Sequence, residues 1–373
     1  MISKNKVLGL IFASMHDNAV IDLTKKRTMG SIPFGGRYRL IDYPLSNMVN
    51  SDITKVGVIT KSNYGSLLDH IGSGREWDLS RKTGGLDLLP PFSHVDNGIY
   101  KGRLDALNGV WEFIEHSHAE YVVMCDCDIV TTIDYKEVLN YHVENKADIT
   151  MVTGKAFYNS AIAHAMVVGT DETGRVNDIM INPQLSGESN LCLNMFVMSY
   201  EFLKQIVLTN VSRGHYSFSK DIVQACKDEY KIMAYEHKNY FSKIDNMVGY
   251  YEANMALLNT ENRNNLFNKV APIYTKIRDN GPAKYGIEAE VKNSLIADGC
   301  VIEGKVENCV IFRGVKIGHD TVVKNSVIMQ DTFIADKCSI DSVITDKNVE
   351  IGEGKVLTGS SSHPLYIGKG AKI

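Results

Sequence analysis

A six-residue repeat of aliphatic side chains near the end of the chain places the strongest constraint on the fold. The repeating positions, separated by short residues such as Gly, Asp and Asn, are Ile311, Ile317, Val323, Ile328, Ile334 and Ile340. An α-helix has about 3.6 residues per turn and does not keep such positions on one face. Three six-residue steps instead complete one coil of a parallel β-helix, in which each coil buries its aliphatic side chains on the next. The repeat therefore predicts a β-helix over residues 285–373.

The preceding part of the chain alternates between short apolar runs and polar, helix-compatible stretches such as Ala106–His116 and Tyr135–Asn145. The predicted strands are Val7–Phe12, Lys55–Thr60, Tyr121–Cys125, Asp148–Val152 and Asn194–Val197. This alternation is typical of an open, mostly parallel α/β sheet, whose ligand site lies beyond the carboxyl ends of the strands. We therefore predict an α/β domain over residues 1–257, a linker over 258–284, and a site at the ends of the first and the Tyr121 strands.

Charge and composition exclude several classes of protein. The formal net charge of -4 gives no electrostatic reason to expect binding to nucleic acid or to a membrane surface. The early apolar run, Val7–Ala13, is too short to cross a bilayer. Seven cysteines without a CxxC pair predict neither a disulfide framework nor a zinc site. We expect a cytoplasmic protein.

Two long segments resemble sequences typical of the ADP-glucose pyrophosphorylase (glucose-1-phosphate adenylyltransferase) family. Residues 33–47 read PFGGRYRLIDYPLSN, and residues 74–91 begin with GREWDLSR. The resemblance covers essentially the whole chain. It implies a Rossmann-like (GT-A-like) mixed sheet followed by a left-handed parallel β-helix. It also implies the reaction of ATP with glucose 1-phosphate, in which Mg²⁺ and cationic side chains stabilise the charge on the phosphate oxygens.

The phosphate-binding loop departs from the family pattern. Family members carry GGxGxR after the first strand, where backbone N–H groups surround the phosphates and the Arg stabilises charge. The residues at these glycine and arginine positions are Ser14, Met15, Asp17 and Ala19. A methionine obstructs the close backbone approach that glycine allows, and an aspartate repels a polyphosphate. The resemblance therefore implies that this loop no longer binds a triphosphate.

Other positions that carry charge in the family have also changed. The lysine of the family's KPAVPF segment corresponds to Met29, and the Glu-Lys pair of its sugar-phosphate pocket corresponds to Ile181 and Asn182. The family's GTADA loop is reduced to Gly102–Ala106, with Arg103 inside it. We expect these changes to weaken the binding of both substrates.

Only one of the family's two metal-binding carboxylates is retained. The catalytic aspartate corresponds to Asp128, whereas the aspartate of the family's DVGT segment corresponds to Lys243. Because Mg²⁺ requires an oxygen-rich shell, the resemblance implies that this chain holds no metal, with Asp128 as a weak candidate ligand. Lys243 either pairs with Asp128 and fills the vacated site or points into solvent.

Basic residues are retained around the first conserved segment. In the family, this region contributes to an anionic-effector site between the two domains. The corresponding residues here are Lys26, Arg27, Arg37 and Arg39. They form either a site for a phosphorylated metabolite or a solvated basic face.

These departures identify the chain as a member of the family's degenerate, GlgD-type subunits. We expect negligible activity of the isolated chain, no cofactor, and Mg²⁺ only in a catalytic partner. The expected partner is the catalytic ADP-glucose pyrophosphorylase subunit, in a hetero-tetramer, although a homo-oligomer remains open.

Two enzymatic alternatives remain open. Asp126 and Asp128 form an Asp-x-Asp pair at a strand end, as in metal-dependent glycosyltransferases, unless Asp126 caps a turn. His319 and His363 on the β-helix would serve acyl transfer, unless they are merely solvated.

Overall fold

The computed structural model describes residues 6–91, 100–159, 162 and 164–373, which form an α/β domain followed by a β-helix. The strands of the α/β domain are β1 (Val7–Phe12), β2 (Pro33–Phe34), β3 (Tyr38–Arg39), β4 (Lys55–Ile59), β5 (Gly85–Leu89), β6 (Tyr121–Asp126), β7 (Ile129–Thr131), β8 (Ile149–Asn159), β9 (Met166–Thr170), β10 (Val176–Ile181), β11 (Ser186–Ser199), β12 (Ile232–Glu236) and β13 (Phe241–Lys243).

The main sheet is mixed. Its strand order is β10-β9-β11-β6-β1-β4-β5, and β8 pairs with both β11 and β12. The core strands β6, β1, β4 and β5 are parallel, whereas β11 is antiparallel to β6 and β8. Because β1 and β6 are parallel neighbours, the segments that follow them meet at one edge of the sheet, where a ligand site is expected.

Helices cover both faces of this sheet. They are α1 (Ile21–Thr24), α2 (Asp42–Asn50), α3 (Gly65–Ile71), α4 (Arg103–Gly109), α5 (Trp111–Glu115), α6 (Tyr135–Glu144), α7 (Tyr200–Val211), α8 (Met247–Ala256) and α9 (Thr260–Leu266). Side-chain caps begin several of them; the Asp134 carboxylate, for example, accepts a hydrogen bond from the backbone N–H of Lys136 at the start of α6. Along β1, Val7 and Ile11 enter one buried core and Leu8 and Leu10 enter the other, as expected for a strand covered on both faces.

The C-terminal strands form three parallel sheets, as predicted. They are β14 (Lys284–Tyr285), β15 (Glu290–Lys292), β16 (Leu295–Ile296), β17 (Val301–Ile302), β18 (Lys305–Glu307), β19 (Val310–Ile311), β20 (Lys316–Ile317), β21 (Val322–Lys324), β22 (Val327–Ile328), β23 (Phe333–Ile334), β24 (Ser339–Asp341), β25 (Val343–Thr345), β26 (Glu350–Ile351), β27 (Val356–Thr358) and β28 (Leu365–Ile367). The six-residue repeat places its aliphatic residues on successive faces and in register between coils. The stacked pairs are Ile311 with Ile328, Ile317 with Ile334, and Val323 with Ile340.

An asparagine ladder runs along one corner of the β-helix. Asn293, Asn308 and Asn325 have φ angles of 42°, 52° and 46°, in the left-handed region that asparagine tolerates better than most residues. Asn293 Nδ2 donates to Asn308 Oδ1 at 2.7 Å, and Asn325 Nδ2 donates to Asp341 Oδ1 at 3.0 Å. The ladder explains why asparagine recurs between the aliphatic positions.

Replacing Asn325 by alanine is expected to lower the free energy of unfolding by about 2 kcal/mol, because alanine both strains the left-handed corner and removes the ladder hydrogen bonds. Asn325→Gly is the matched control, since glycine removes only the hydrogen bonds, and it should lose less than half as much. Denaturant unfolding measures both. Equal losses in the two variants would contradict a role for the backbone conformation.

The two domains share a continuous interface. Phe312 and Met329 of the β-helix belong to the same buried cluster as Tyr250 of the α/β domain. Tyr251 Oη donates to the backbone carbonyl of Asn325 at 2.6 Å. Apolar packing and this hydrogen bond therefore hold the two domains together.

The predicted fold class is confirmed, but several local predictions were incomplete. The predicted helix Ala106–His116 is two helices, α4 and α5, and the segment 258–284 contains α9. All seven cysteines are free. Within the described residues, no helix has the length and apolarity needed to span a membrane.

Candidate functional site

The loop after β1 is a helical turn rather than a glycine loop. Residues Asp17–Val20 form a 3-10 turn that leads directly into α1. Within residues 6–34, all of which are described, none has a positive φ. The turn is fixed by two hydrogen bonds: Asp17 Oδ1 accepts from the backbone N–H of Met29 at 2.8 Å, and Thr24 Oγ1 donates to the carbonyl of Asp17 at 2.7 Å. The backbone N–H of Met29 is thus already engaged by the Asp17 carboxylate.

This carboxylate stands in the first of two cavities at the strand ends. We call it the loop cavity; it has a volume of about 420 Å³ and is lined by Ser14, Met15, Asp17, Asn18, Ile21, Thr24, Lys25, Lys61, Ser62 and Asn63. Burial raises the pKa of Asp17 to about 6, against the opposing effects of the Met29 N–H and Lys61. At neutral pH Asp17 is therefore mainly ionised and repels a polyphosphate.

The second cavity, which we call the central cavity, lies on the other side of Met15. It has a volume of about 400 Å³ and is lined by Met15, His16, Lys101, Gly102, Arg103, His164, Ala165, Met166, Ile181, Asn182, Asn194, Ser217, Phe218, Ser219 and Lys220. The structure therefore brings Met15, Ile181 and Asn182 together, as expected for positions that correspond to the substrate pockets of the family.

A buried ion-pair network forms the wall of the central cavity. Asp126 Oδ2 accepts from Arg103 Nη2 at 2.6 Å and lies 2.7 Å from His16 Nε2. The Arg103 guanidinium carbon lies 4.8 Å from the centroid of the Phe12 ring and 5.5 Å from that of Phe196. Asp126 is thus held by two basic groups, one of which is fixed between aromatic rings.

The network determines the charge of its members. Burial disfavours the ionised form of Asp126, but Arg103 and His16 outweigh burial and lower its pKa. Burial also disfavours the cationic form of His16, but the carboxylates of Asp128 and Asp126 outweigh it and raise its pKa. The geometry therefore favours imidazolium, guanidinium and carboxylate in direct contact.

These residues do not fit the Mg²⁺ site of the family. His16, Asp126 and Asp128 offer ligand atoms within 4.8 Å of one another, and Oδ1 of each aspartate has no hydrogen-bond partner among the described residues. However, Arg103 already neutralises Asp126, and Lys243 replaces the other carboxylate. Mg²⁺ prefers an octahedral shell of oxygen atoms without competing cations, so this donor set is unsuitable.

Of the two alternatives for Lys243, the pair with Asp128 is wrong. Lys243 Nζ donates to the backbone carbonyl of His164 at 2.9 Å, and it forms no ion pair with Asp128 within 4.0 Å. Asp128 Oδ2 instead accepts from Asn194 Nδ2 at 2.8 Å, and it lies 3.8 Å from His16 Nε2. The neutral amide of Asn194 thus takes the position beside Asp128 that the pairing hypothesis gave to the lysine. Its hydrogen bond does not require an ammonium group to lose its water.

The remaining predicted positions are structural in different ways. Met29 corresponds to a lysine of the family, but its side chain is buried and packs in the apolar core. Asn182 has a φ of 50°, and its Oδ1 accepts from the Ala165 N–H at 2.9 Å, which closes the loop at the cavity edge. Ala19 lies in the 3-10 turn after β1. None of the three offers a cation to a phosphate.

Three residues of the alternative hypotheses are placed as follows. Asp126 carries ion pairs rather than a turn cap. His319 is exposed and lies 3.4 Å from Glu303, and the exposed His363 lies 3.2 Å from the Ser362 hydroxyl. Neither histidine lines the cavities described here.

A third cavity lies between the domains. It has a volume of about 270 Å³ and is lined by Asp22, Leu23, Lys25, Lys26, Arg27, Asp346, Tyr366, Gly368, Lys369 and Ala371. Of the predicted effector residues, Lys26 and Arg27 line it, whereas Arg37 and Arg39 do not. Arg37 is exposed above the Tyr38 ring, and Arg39 is buried and donates to the carbonyl of Ser66.

Four basic residues next to this cavity form what we call the interdomain cationic cluster: Arg27, Arg39, Arg278 and Lys347. Arg27 Nη2 contacts both carboxylate oxygens of Asp346 at 2.7 Å. Burial, reinforced by the positive charges of Arg39 and Arg27, lowers the pKa of Lys347 to about 6. At neutral pH Lys347 is therefore mainly uncharged beside the three arginines, and an anion that binds there would favour its protonation.

Replacing Lys347 by methionine is expected to raise the free energy of unfolding at pH 7 by about 1 kcal/mol. The gain is smaller than the pKa shift alone would give, because solvent screens the partly exposed side chain. Since the pKa is lowered in the folded state, the cost of Lys347 is largest at low pH and disappears above the ordinary lysine pKa. The stability gain of the variant should therefore shrink as the pH rises from 7 to 10. Sulfate should stabilise the wild type more than the variant, and thermal unfolding at several sulfate concentrations measures this. Equal stabilisation of the wild type and the variant by sulfate would contradict anion binding at the interdomain cationic cluster.

Comparison with known proteins decides the family. Residues 17–260 match the family described as nucleotidyl transferase, and residues 281–362 match the GlmU-like C-terminal hexapeptide family. The chain belongs to the nucleotidyltransferase family. It is 36% identical to the glycogen biosynthesis protein GlgD of Bacillus subtilis over 98% of this chain and 96% of that protein.

Glucose-1-phosphate adenylyltransferases are also similar to this chain. The enzyme of Clostridium perfringens is 32% identical over 99% of this chain and 96% of its own length. That of Thermotoga neapolitana is 36% identical over 85% of this chain and 76% of its own length. The resemblance stated from the two conserved segments, to the glucose-1-phosphate adenylyltransferases and their GlgD-type relatives, is confirmed.

Sequence reasoning missed several residues that determine the electrostatics of the cavities. His16, Asn194 and Lys347 carried no family motif. Arg103 was visible only as a departure inside a shortened loop, and the loop gave no indication that its side chain reaches Asp126.

Proposed function

We propose that this chain is a non-catalytic, regulatory subunit of glucose-1-phosphate adenylyltransferase in glycogen biosynthesis. It acts in the cytoplasm, assembling with the catalytic homologue into a hetero-tetramer. Support comes from its similarity to a protein named GlgD and to glucose-1-phosphate adenylyltransferases over nearly its full length. A chain that keeps the whole fold but not the catalytic groups is suited to assembly rather than to chemistry.

One observation carries the proposal: charged groups of the chain itself occupy the catalytic region at two places. Asp17 takes the backbone N–H of Met29 on the phosphate side, and Arg103 binds Asp126 on the metal side. In-line nucleotidyl transfer needs cations at the phosphates and carboxylates around Mg²⁺, and here the charges are reversed at both places.

The third cavity, between the two domains, supports the regulatory part of the proposal. Lys26 and Lys369 line the third cavity and have no ion-pair partner within 4.0 Å among the described residues. An anionic metabolite bound there would contact both domains, because Arg27 belongs to one and Lys369 to the other. Such a ligand would alter how the domains are held together and hence the contacts made with a partner subunit.

One observation favours the alternative, an active sugar-nucleotide enzyme with a reworked metal site. His16, Asp126 and Asp128 form a group suited to a cation that takes a nitrogen ligand beside oxygen ligands. Oδ1 of each aspartate has no hydrogen-bond partner among the described residues. Hydrolysis of ADP-glucose by the purified chain with Mn²⁺ would support it. The Arg103 ion pair makes this function the weaker candidate.

Assembly is tested by co-expressing the chain with the catalytic homologue of the same organism and measuring the mass of the purified complex by light scattering. We expect both chains in one particle of four subunits. Two separate homo-oligomers, each free of the other chain at micromolar concentration, would contradict the proposal.

A further inference from the structure

Two buried aspartates lie close together at the carboxyl end of β6. Asp126 and Asp128 are 2% and 1% exposed, and with His16 they offer ligand atoms within 4.8 Å of one another. Oδ1 of each aspartate is buried and has no hydrogen-bond partner among the described residues. Because neighbouring buried carboxylates repel each other and lose their hydration, such a pair requires a cation close by.

The guanidinium of Arg103 supplies that cation. Its Nη2 donates to Asp126 Oδ2 at 2.6 Å, and the side chain is buried. Among the described residues, Arg103 and His16 are the basic groups within 4.0 Å of the two carboxylates. His16 lies between the aspartates, with Nε2 at 2.7 Å from Asp126 Oδ2 and 3.8 Å from Asp128 Oδ2. The charge of the acidic pair is therefore balanced from within the chain.

Aromatic rings hold this guanidinium in place. Its central carbon lies 4.8 Å from the centroid of the Phe12 ring, and 5.5 Å and 5.8 Å from those of Phe196 and Phe218. Cation–π contacts are strongest for a group that has lost its water, as Arg103 has. The guanidinium is thus a fixed part of the core next to Asp126.

A fixed guanidinium in this position competes directly with a metal ion. A divalent cation bound to Asp126 would lie within a few ångströms of the positive charge of Arg103, in surroundings that screen the repulsion poorly. Without that charge, one imidazole nitrogen and two carboxylates would form a ligand set suited to a transition-metal ion with open coordination positions. Arg103 is therefore the group that decides whether an ion binds here.

We propose that Arg103 is an internal cation that takes the place of a divalent metal beside Asp126, and that it masks a latent transition-metal site formed by His16, Asp126 and Asp128. The segments at the end of β6 and after β1 are then held together by the chain itself, with no ion required. This inference goes beyond the regulatory function and does not depend on a partner subunit.

Mn²⁺ binding to the full chain, followed by the electron paramagnetic resonance of the free ion, tests the proposal. Arg103→Met should bind Mn²⁺ at least about a hundredfold more tightly than the wild type, because the competing charge is removed. Lys220→Met is the matched control. Lys220 also lines the central cavity, but it is not an ion-pair partner of Asp126, so this variant should bind Mn²⁺ as weakly as the wild type.

Thermal unfolding gives a second test that does not depend on the stability of one variant. In EDTA, Arg103→Met should unfold well below the wild type, because Asp126 loses its guanidinium partner. The double variant Arg103→Met/Asp126→Asn should recover about half of that loss, since it also removes the uncompensated charge. Mn²⁺ should raise the midpoint of Arg103→Met and leave those of the wild type and the double variant unchanged.

Three results would overturn the proposal. They are wild-type binding of Mn²⁺ as tight as that of Arg103→Met, no stabilisation of Arg103→Met by Mn²⁺, and a double variant no more stable than Arg103→Met. The first result would also favour the enzymatic alternative with a reworked metal site. All of these measurements use the isolated chain and leave assembly with a catalytic subunit untouched, so the two proposals fail separately.

Discussion

The purified chain alone is expected to form ADP-glucose from ATP and glucose 1-phosphate at least about four orders of magnitude more slowly than a catalytic relative. Loss of a single charge-stabilising group typically costs about two to four kcal/mol of barrier. Here the phosphate loop, two lysine positions and one metal carboxylate are all replaced, and such groups act together rather than additively. Even two independent losses of this size would account for the expected deficit.

The structure adds a reason that the sequence alone lacked. The positions are not merely vacant, because Asp17 and the Arg103–Asp126 pair fill them with opposing charge. Restoring one family residue should therefore rescue little. Lys243→Asp is expected to remain within about tenfold of the parent chain, because Arg103 still neutralises Asp126. A radiometric assay with both substrates and Mg²⁺ measures each rate, and a large rescue by this single change would contradict the account.

Replacing Arg27 by leucine is expected to lower the free energy of unfolding by about 3–5 kcal/mol. Arg27 and Asp346 are each 3% exposed in their side chains, and the pair joins the α/β domain to the β-helix. Among the described residues, removing the guanidinium leaves the buried carboxylate with the Tyr366 hydroxyl and the Lys347 N–H as its hydrogen-bond donors. The loss should exceed that of any exposed arginine.

Arg37→Leu is the matched control, because Arg37 is an exposed arginine of the same predicted set. It should change the free energy of unfolding by less than about 0.5 kcal/mol. Urea unfolding followed separately by tryptophan fluorescence and far-ultraviolet circular dichroism would also show whether the domains uncouple. Equal stabilities of the two variants would contradict the role assigned to the buried pair.

The fold was predictable because both of its domains have a sequence period. Six-residue spacing fixed not only the β-helix but the faces on which Ile311, Ile317 and Val323 lie, since one inward residue per step is a local rule. Helix boundaries were less predictable. The break between α4 and α5 at Val110 directly follows Gly109, and this single glycine is a weaker local signal than a proline.

The site was predictable only by location. Met15 and Asn182, which family correspondence assigned to the substrate pockets, line one cavity, because an alignment transfers backbone positions. It did not transfer side-chain partners. A pair between Lys243 and Asp128 was one of two alternatives, but the lysine ammonium donates to a carbonyl, while Asn194 and His16 lie next to Asp128. Which of several nearby groups neutralises a buried charge depends on distances of a few ångströms, which a sequence does not contain.

Activation of the catalytic homologue tests the central claim most directly. A fixed amount of the catalytic subunit is titrated with this chain, and the initial rate of ADP-glucose formation and its response to anionic metabolites are followed. We predict that kcat per catalytic subunit or its effector response rises and saturates at a fixed ratio of the two chains. A flat titration, with rates equal to the sum of the separate chains at every ratio, would contradict a regulatory role.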